Sequence, residues 1–523
     1  MAHLQGRFSR HRSLMPQRSG KITKKALASS EAPYTFLPAN EQPTIPMRRL
    51  RPATSFDTLS QRYGERYKWM VLFILALGTV AGVLCTSSFN VAVPALSRHF
   101  RLGQDQVQWA MTGFLAAMTV GMLPTSWLLD RLGFRIIFLL SLAVLTLASV
   151  GGYFAPSFTL VVAARILQGL AAGVLQPMGA LALMRLFPPE IQGRASGILI
   201  FSIALTPAIA PSLGGALLDR FGWESIFLLG TPFAVIAALC AIYLLPAPRE
   251  IKRKPFDWLG LGWLTLGAIA LIESVSSLQH SGLASPWTMG QFALAFVASA
   301  LYYRHARLRS DPLINLDLFR QRTFAMGTLV SFAYGFGLYA STYLIPVFLQ
   351  NALSFKAGAA GMALLPSGIA LVVMLPLAGR MADHYSPKWI TLIGLVAFGA
   401  SFLIFSIRGG AIQYAEIIAA TIIGRIGLGM ILPALNLATL RHMEPHQLGQ
   451  SSVVTSYARQ LGGVMGVAVL AVFVEWRETV YGTVPPGIYS AYSQGFLLLT
   501  AVFSLAVLAA CFMRTEGSRP SPK

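Results

Sequence analysis

The chain has 523 residues, of which 55% are hydrophobic and 12% charged, and its 41 Lys and Arg against 20 Asp and Glu give a formal net charge of +21. A soluble domain carries about 25% charged residues, so this balance excludes a water-soluble globule and fits a chain dissolved in a bilayer. The positive excess does not point to nucleic acid, because it collects in tails and short loops and forms no basic face on a folded domain.

Residues 1–68 are rich in Arg, Lys, Ser and Pro and hold no apolar run. They predict a solvated, disordered, basic cytoplasmic tail without a cleavable leader; translation from near Met47 is the alternative reading of the same residues. Six apolar segments follow at about 69–96, 107–129, 136–154, 158–180, 195–218 and 225–246, making an N-terminal half over 69–246. Two more, at about 258–279 and 288–304, lie in a connecting region 247–323. The last six, near 324–349, 359–382, 388–407, 412–437, 453–475 and 490–513, make a C-terminal half over 324–513, before a short cytoplasmic tail 514–523. Each is long enough to cross the hydrocarbon core as a helix, so the fold class is an all-α membrane protein with fourteen transmembrane helices.

An even number puts both termini on one side. With that side inside, only Arg98, Arg101, Arg220, Lys356, Arg408 and Arg477 fall in outer loops, and Arg165, Arg425 and Arg459 fall within segments. The other cations lie inside, which is the positive-inside pattern.

The two halves repeat one another. WLLDRLGFR around Asp130 matches GRMADHYSPK around Asp383. RILQGLAAG from Arg165 matches RIGLGMILP from Arg425, and GRASG from Gly193 matches GQSSV from Gly449. The three matches share nearly one offset, so two six-helix halves stand in the same orientation with two helices inserted between them. Such parallel duplication is a transporter architecture.

Several residues stand out chemically. A guanidinium inside a membrane helix is expensive, so Arg165 is expected to face a cavity, with Gln168 and Gly169 on nearby faces; the competing reading is a structural Arg bonding backbone carbonyls. Arg459 sits close to a helix end, where snorkelling is the alternative. Asp130, Arg131, Gly133 and Arg135 occupy a two-helix turn, where Gly permits the tight backbone and the charges can pair or meet a helix dipole. Pro207 and Pro211 can kink their helix, and Gly214 and Gly215 admit a close neighbour. Glu273 is the acid well inside a predicted span, and Asp257 reads as a helix-start cap. Asn90, Gln176, Gln350, Arg425 and Asn436 could line a cavity, and Phe114 and Tyr343 could stack on a planar or cationic compound. Cys85, Cys240 and Cys511 lie in apolar runs without metal-ligand spacing and read as packing residues. No Walker loop, His-Glu-x-x-His or catalytic Gly-x-Ser-x-Gly occurs in a soluble region, which argues against an enzyme or an ATP-driven pump.

Six motifs in order carry a family resemblance: NVAVP at Asn90–Pro94, WLLDRLGFR at Trp127–Arg135, RILQGLAAG from Arg165, TPAIAPSLGG at Thr206–Gly215, LIPVFLQ with Ala357–Gly358 and LLPSG at Leu364–Gly368, and RQLGG at Arg459–Gly463. Over residues 69–513 the chain resembles the major facilitator superfamily, and within it the fourteen-helix drug:proton antiporters of the EmrB/QacA type. The resemblance implies a major facilitator fold and a gating latch at Asp130, Arg131, Gly133 and Arg135. It also implies proton or substrate coupling at Arg165, Gln168 and Gly169, and an antiporter motif at Pro207, Pro211, Gly214 and Gly215. Ser126 replaces the usual leading Gly of the latch motif, and Thr206 and Ala210 replace two glycines of the antiporter motif. Cys85 stands where the family commonly has an Asp, so Glu273 becomes the expected proton carrier. The implied function is export of small, lipophilic or cationic compounds in exchange for protons by alternating access; the alternative is a facilitator or symporter of the same fold. No cofactor beyond the proton gradient is implied. The implied partners are a small-molecule substrate, membrane lipid and, in a Gram-negative inner membrane, a periplasmic adaptor and an outer-membrane channel.

Overall fold

A computed structural model describes residues 56–246, 255–282, 285–441, 443–482, 484 and 486–513. The tail expected at 514–523, and that at 1–68 up to residue 55, lie outside these residues. All regular structure among the described residues is helical. The N-terminal half comprises α1 (Phe56–Tyr63), α2 (Arg66–Phe100), α3 (Gln104–Met122), α4 (Thr125–Leu132), α5 (Phe134–Tyr153), α6 (Phe158–Leu186), α7 (Gln192–Phe221) and α8 (Thr231–Leu244). A hairpin of α9 (Trp258–Ser281) and α10 (Pro286–Leu308) leads to the C-terminal half: α11 (Arg322–Val347), α12 (Ala357–His384), α13 (Pro387–Arg408), α14 (Tyr414–Leu440), α15 (Leu448–Tyr481) and α16 (Gly487–Cys511).

One expectation changes, and one is met only in part. Residues 56–68 were expected in the disordered tail, but they form α1 and the start of α2. Leu59 and Tyr67 explain the ordering: both are buried in the core of the N-terminal half, and the Tyr67 hydroxyl donates to the Leu244 carbonyl at 2.9 Å. By length and composition, eleven helices among the described residues can cross a membrane, or twelve if one bent pair counts as one span, against fourteen expected. That pair is α3 and α4, which bend by 53° at a break before Thr125. Pro124 lies in the break, where it has no amide proton to give to a continuous helix. Helices α7 and α10 are not among the eleven.

Each half has its own core. In the first, α2 packs on α6, α7 and α8, and α3 lies along α6; in the second, α11 lies along α15 and α14 packs on α12 and α13. Lipid is as apolar as Leu, so association depends on close approach of backbones. Glycines provide it: a Cβ at Gly169 or Gly173 would strike the carbonyls of Phe114 and Met118 on α3, and one at Gly462 or Gly466 those of Phe332 and Phe336 on α11.

The halves touch mainly through α7 and α12, with smaller contacts of α6 and α4 on α15. A buried apolar cluster joins them at the end where α7 and α15 begin, combining Leu123 and Leu181 with Leu440, Met443 and Leu448. Toward the opposite end α12 loses its neighbours: added Cβ atoms at Gly358, Gly361 and Gly368 meet nothing within 4 Å. Leu365, Ile369 and Val373 of α12, and Ile209 and Leu213 of α7, are exposed.

The α9–α10 hairpin packs against α3 of one half and α15 of the other. It is fixed at one end by Asp257, whose side chain is 2% exposed. Its carboxylate caps α9 by accepting from Gly260 N (3.0 Å), accepts from Leu313 N (3.1 Å), and lies 2.7 Å from His305 Nε2 and 3.7 Å from Arg309 Nε. Burial alone pushes this carboxyl upward, but the bonds from His305, Gly260 and Leu313 outweigh it and hold the group below its usual range. Asp257 is thus a cap, as its position before the apolar run suggests, and also a clamp between α9, α10 and the segment before α11.

Candidate functional site

Arg165 of α6 is 2% exposed and faces the interior of the N-terminal half, not a cavity. Its Nη1 donates to the Cys85 carbonyl at 2.9 Å and to Gln168 Oε1 at 3.0 Å, and its Nε to the Ala110 carbonyl at 3.3 Å. The rings of Phe89 and Phe114 sandwich the guanidinium at 4.2 and 4.1 Å. Gln168 completes the network through Ser149 Oγ at 2.8 Å. Among the described residues no carboxylate lies within ion-pair reach of Arg165. Carbonyl dipoles and two π-faces replace the missing anion, so this Arg ties α2, α3 and α6 together. Phe114, expected to line a cavity, is instead fully buried against Arg165, and Gly169 serves the α3–α6 contact.

Arg425 of α14, the repeat counterpart, behaves oppositely. It lines a cavity of about 130 Å³ within the C-terminal half, together with Ser341, Thr342, Ile345, Pro346, Leu364, Ser367, Phe398, Ser401, Thr421 and Gly424. It makes no hydrogen bond or ion pair among the described residues. Tyr334 interacts electrostatically with both Arg425 and Arg459, and Arg459 reaches Ser456 Oγ at 3.4 Å. Two guanidinium groups therefore share this interior, and no acidic side chain lines the cavity.

At the joined end, the contacts between the halves are asymmetric. Asp383, ending α12, accepts from Gly193 N at 2.5 Å and Arg194 N at 2.8 Å. It thus caps the start of α7 across the two halves, where the helix dipole favours an anion. The Arg441 guanidinium adds a bond to the Pro189 carbonyl at 3.1 Å. Asp130, the expected latch, makes no hydrogen bond or ion pair among the described residues; its own helix α4 meets α15 through Ser126, whose hydroxyl would lie 2.7 Å from a Cβ on Gly449. Arg131 stacks on Trp127 at 5.2 Å, and Arg135 donates to the Ile242 carbonyl at 2.5 Å. Both cations thus stay within their half. Gly133 links α4 to α5 at φ 80°, a conformation that favours Gly.

The remaining candidates are dispersed. Pro207 and Pro211 lie within the continuous α7; Gly214 approaches Ser88 of α2, and Gly215 has open space around it. Glu273 is half-buried on α9. Gln176 is half-buried with Oε1 unbonded, and Asn436 is half-buried. Tyr343 is 37% exposed. Gln350 is exposed and bonds to the Pro346 carbonyl at 3.3 Å. The side chains of Asn90 and Pro211 lie outside the described ones. Sequence reasoning missed the hydroxyl-lined cavity, whose Ser and Thr residues are unremarkable singly. It also missed His305 and Arg309, which become partners of Asp257 only when α9 and α10 fold together. The Asp383 latch was within reach, since its repeat match to Asp130 is plain in the sequence.

Two helical bundles joined by the Asp383 contact, with a cavity inside one of them, fit a membrane transporter. The Major Facilitator Superfamily model matches residues 75–467, and the chain belongs to that family. It is 28% identical to a Multidrug resistance protein B homolog of Mycobacterium tuberculosis, over 77% of this chain and 76% of the relative. It is 26% identical to the Lincomycin resistance protein LmrB of Bacillus subtilis, over 86% and 97%. The proton:xylose symporter XylE superposes with a TM-score of 0.60 at 13% identity, covering 84% of this chain and 95% of that one; this likeness shows the fold alone.

Proposed function

We propose that the protein exports small organic compounds in exchange for protons, by alternating access between its two halves. In this reading the fourteen segments all span an inner membrane, the termini and the latch end face the cytoplasm, and the structure is the outward-facing state. The Asp383 cap on α7 carries the proposal: a charge-assisted contact between two halves that each have their own core is a joint that can break and re-form, as a rocking transporter requires. The resistance-protein relatives support the export direction, and the absence of an ATP motif supports a gradient as the energy source. Glu273, on the hairpin that touches α3 and α15, is the proposed proton carrier; a periplasmic adaptor and outer-membrane channel remain proposed partners. Cys85 in place of a helix-one acid supports the second reading, a facilitator.

The test is accumulation of a fluorescent dye panel in cells expressing the wild type or Glu273→Gln, with and without an uncoupler. Lower accumulation that the uncoupler restores supports antiport, and loss of export in Glu273→Gln assigns the carrier. Export that survives the uncoupler overturns proton coupling and leaves the facilitator.

A further inference from the structure

Resting on the transporter reading, we infer that the Arg425 cavity is a recognition subsite for a carboxylate head group bearing a neighbouring hydroxyl or amine. The argument begins with the protons of the lining hydroxyls. Ser341 and Thr342 donate to the Leu338 carbonyl at 3.0 and 2.7 Å, Ser367 to Leu364 at 2.7 Å, Ser401 to Phe398 at 2.8 Å, and Thr421 to Ile417 at 2.8 Å. A hydroxyl has one proton, and each of these is directed at its own helix backbone. What the cavity receives from five side chains is therefore acceptor lone pairs.

The donors come from Arg425, whose planar fork matches a carboxylate in bidentate geometry. None of its N–H groups is engaged among the described residues, and a guanidinium held away from bulk water favours a counter-anion. The lining supplies no such anion, and Arg459 nearby adds a second positive charge. A cationic ligand head would meet repulsion from both. A carboxylate answers Arg425, and an adjacent O–H or N–H answers the hydroxyl oxygens. Phe398, Ile345, Pro346 and Leu364 supply the apolar wall. The cavity has room for such a head group, with the rest of a larger molecule lying outside it. The lipophilic or cationic cargo suggested by resemblance is thereby narrowed to compounds with an acidic head.

Binding to the purified full-length protein in detergent tests this without requiring transport. The probes are fluorescent 3-hydroxy-2-naphthoate, its neutral amide 3-hydroxy-2-naphthamide, and the cation 1-naphthylmethylammonium. The wild type is expected to bind the naphthoate at least tenfold more tightly than either other probe. Arg425→Gln is expected to weaken naphthoate at least tenfold, with Arg425→Lys intermediate and both melting near the wild type. Equal or tighter binding of the amide or the cation overturns the inference, as does undiminished naphthoate affinity in a folded Arg425→Gln. If Arg425→Gln does not fold, the wild-type ranking of the three probes decides alone. Naphthoate binding in a protein that fails the uncoupler test would sink the antiport reading and leave the subsite standing; dye export without naphthoate binding would do the reverse.

Discussion

The two halves place an Arg at matching points of their fourth helices and use them in opposite ways. Arg165 is enclosed by two rings, two carbonyls and a glutamine; Arg425 opens onto a cavity and makes no hydrogen bond among the described residues. A duplicated motif is thus a duplicated position, not a duplicated role. What surrounds the position decides: Gln168 follows Arg165 by one turn to hold it, whereas the corresponding place after Arg425 is Leu428.

The largest test of this contrast is Arg165→Ala. It removes three buried hydrogen bonds and leaves two rings facing a void, and should lower stability by ~3 kcal/mol or more. Arg425→Ala should change it by less than about 1 kcal/mol. Thermal unfolding of the purified variants would show the order, and a reversed order would break the comparison.

Glycines give the next contrast. Gly169→Ala, which drives a Cβ into the Phe114 carbonyl, should destabilise by about 2 kcal/mol, whereas Gly215→Ala, into open space, should be nearly neutral. The same melting assay checks both.

The hairpin clamp adds a pH signature of its own. The folded pKa of Asp257 lies below its unfolded value, so its stabilisation is present above the unfolded value of about 3.9 and is lost as pH falls through the folded pKa. Asp257→Asn should lower stability near neutral pH by about 1–2 kcal/mol and flatten the acid limb of the melting profile. An unchanged acid limb would show that other carboxyls dominate it.

The smallest expected effect separates the two latches. Asp383→Asn should loosen the α7–α12 joint by about 1 kcal/mol, read as faster alkylation of Ser196→Cys in a background lacking Cys85, Cys240 and Cys511. Asp130→Asn should leave that rate unchanged. Equal acceleration by both would restore the symmetric latch.

The family and the duplicated halves were legible because hydropathy, cation sorting and repeat matches all follow from the bilayer, which acts on composition and order along the chain. The direction in which Arg165 points was not. A helix of small residues, from Ala163 to Gly173, offers no apolar stripe to orient it, and the enclosing groups come from α2 and α3. The α1 helix was hidden for a related reason: Leu59 and Tyr67 are isolated among charged residues and gain meaning only against the core beneath them.

The splay of α7 and α12 has a further consequence for the surrounding lipid. One flank of the bundle is covered by the α9–α10 hairpin; the other, beyond the latch, presents Ile209, Leu213, Leu365, Ile369 and Val373 to whatever fills the gap. Acyl chains are the natural filling. If the Asp383 end faces the cytoplasm and the protein exports, as proposed, an amphiphile leaving by this sidewall would partition into the outer leaflet before reaching water, so its apparent release rate would follow membrane thickness and chain saturation as closely as its affinity for the protein.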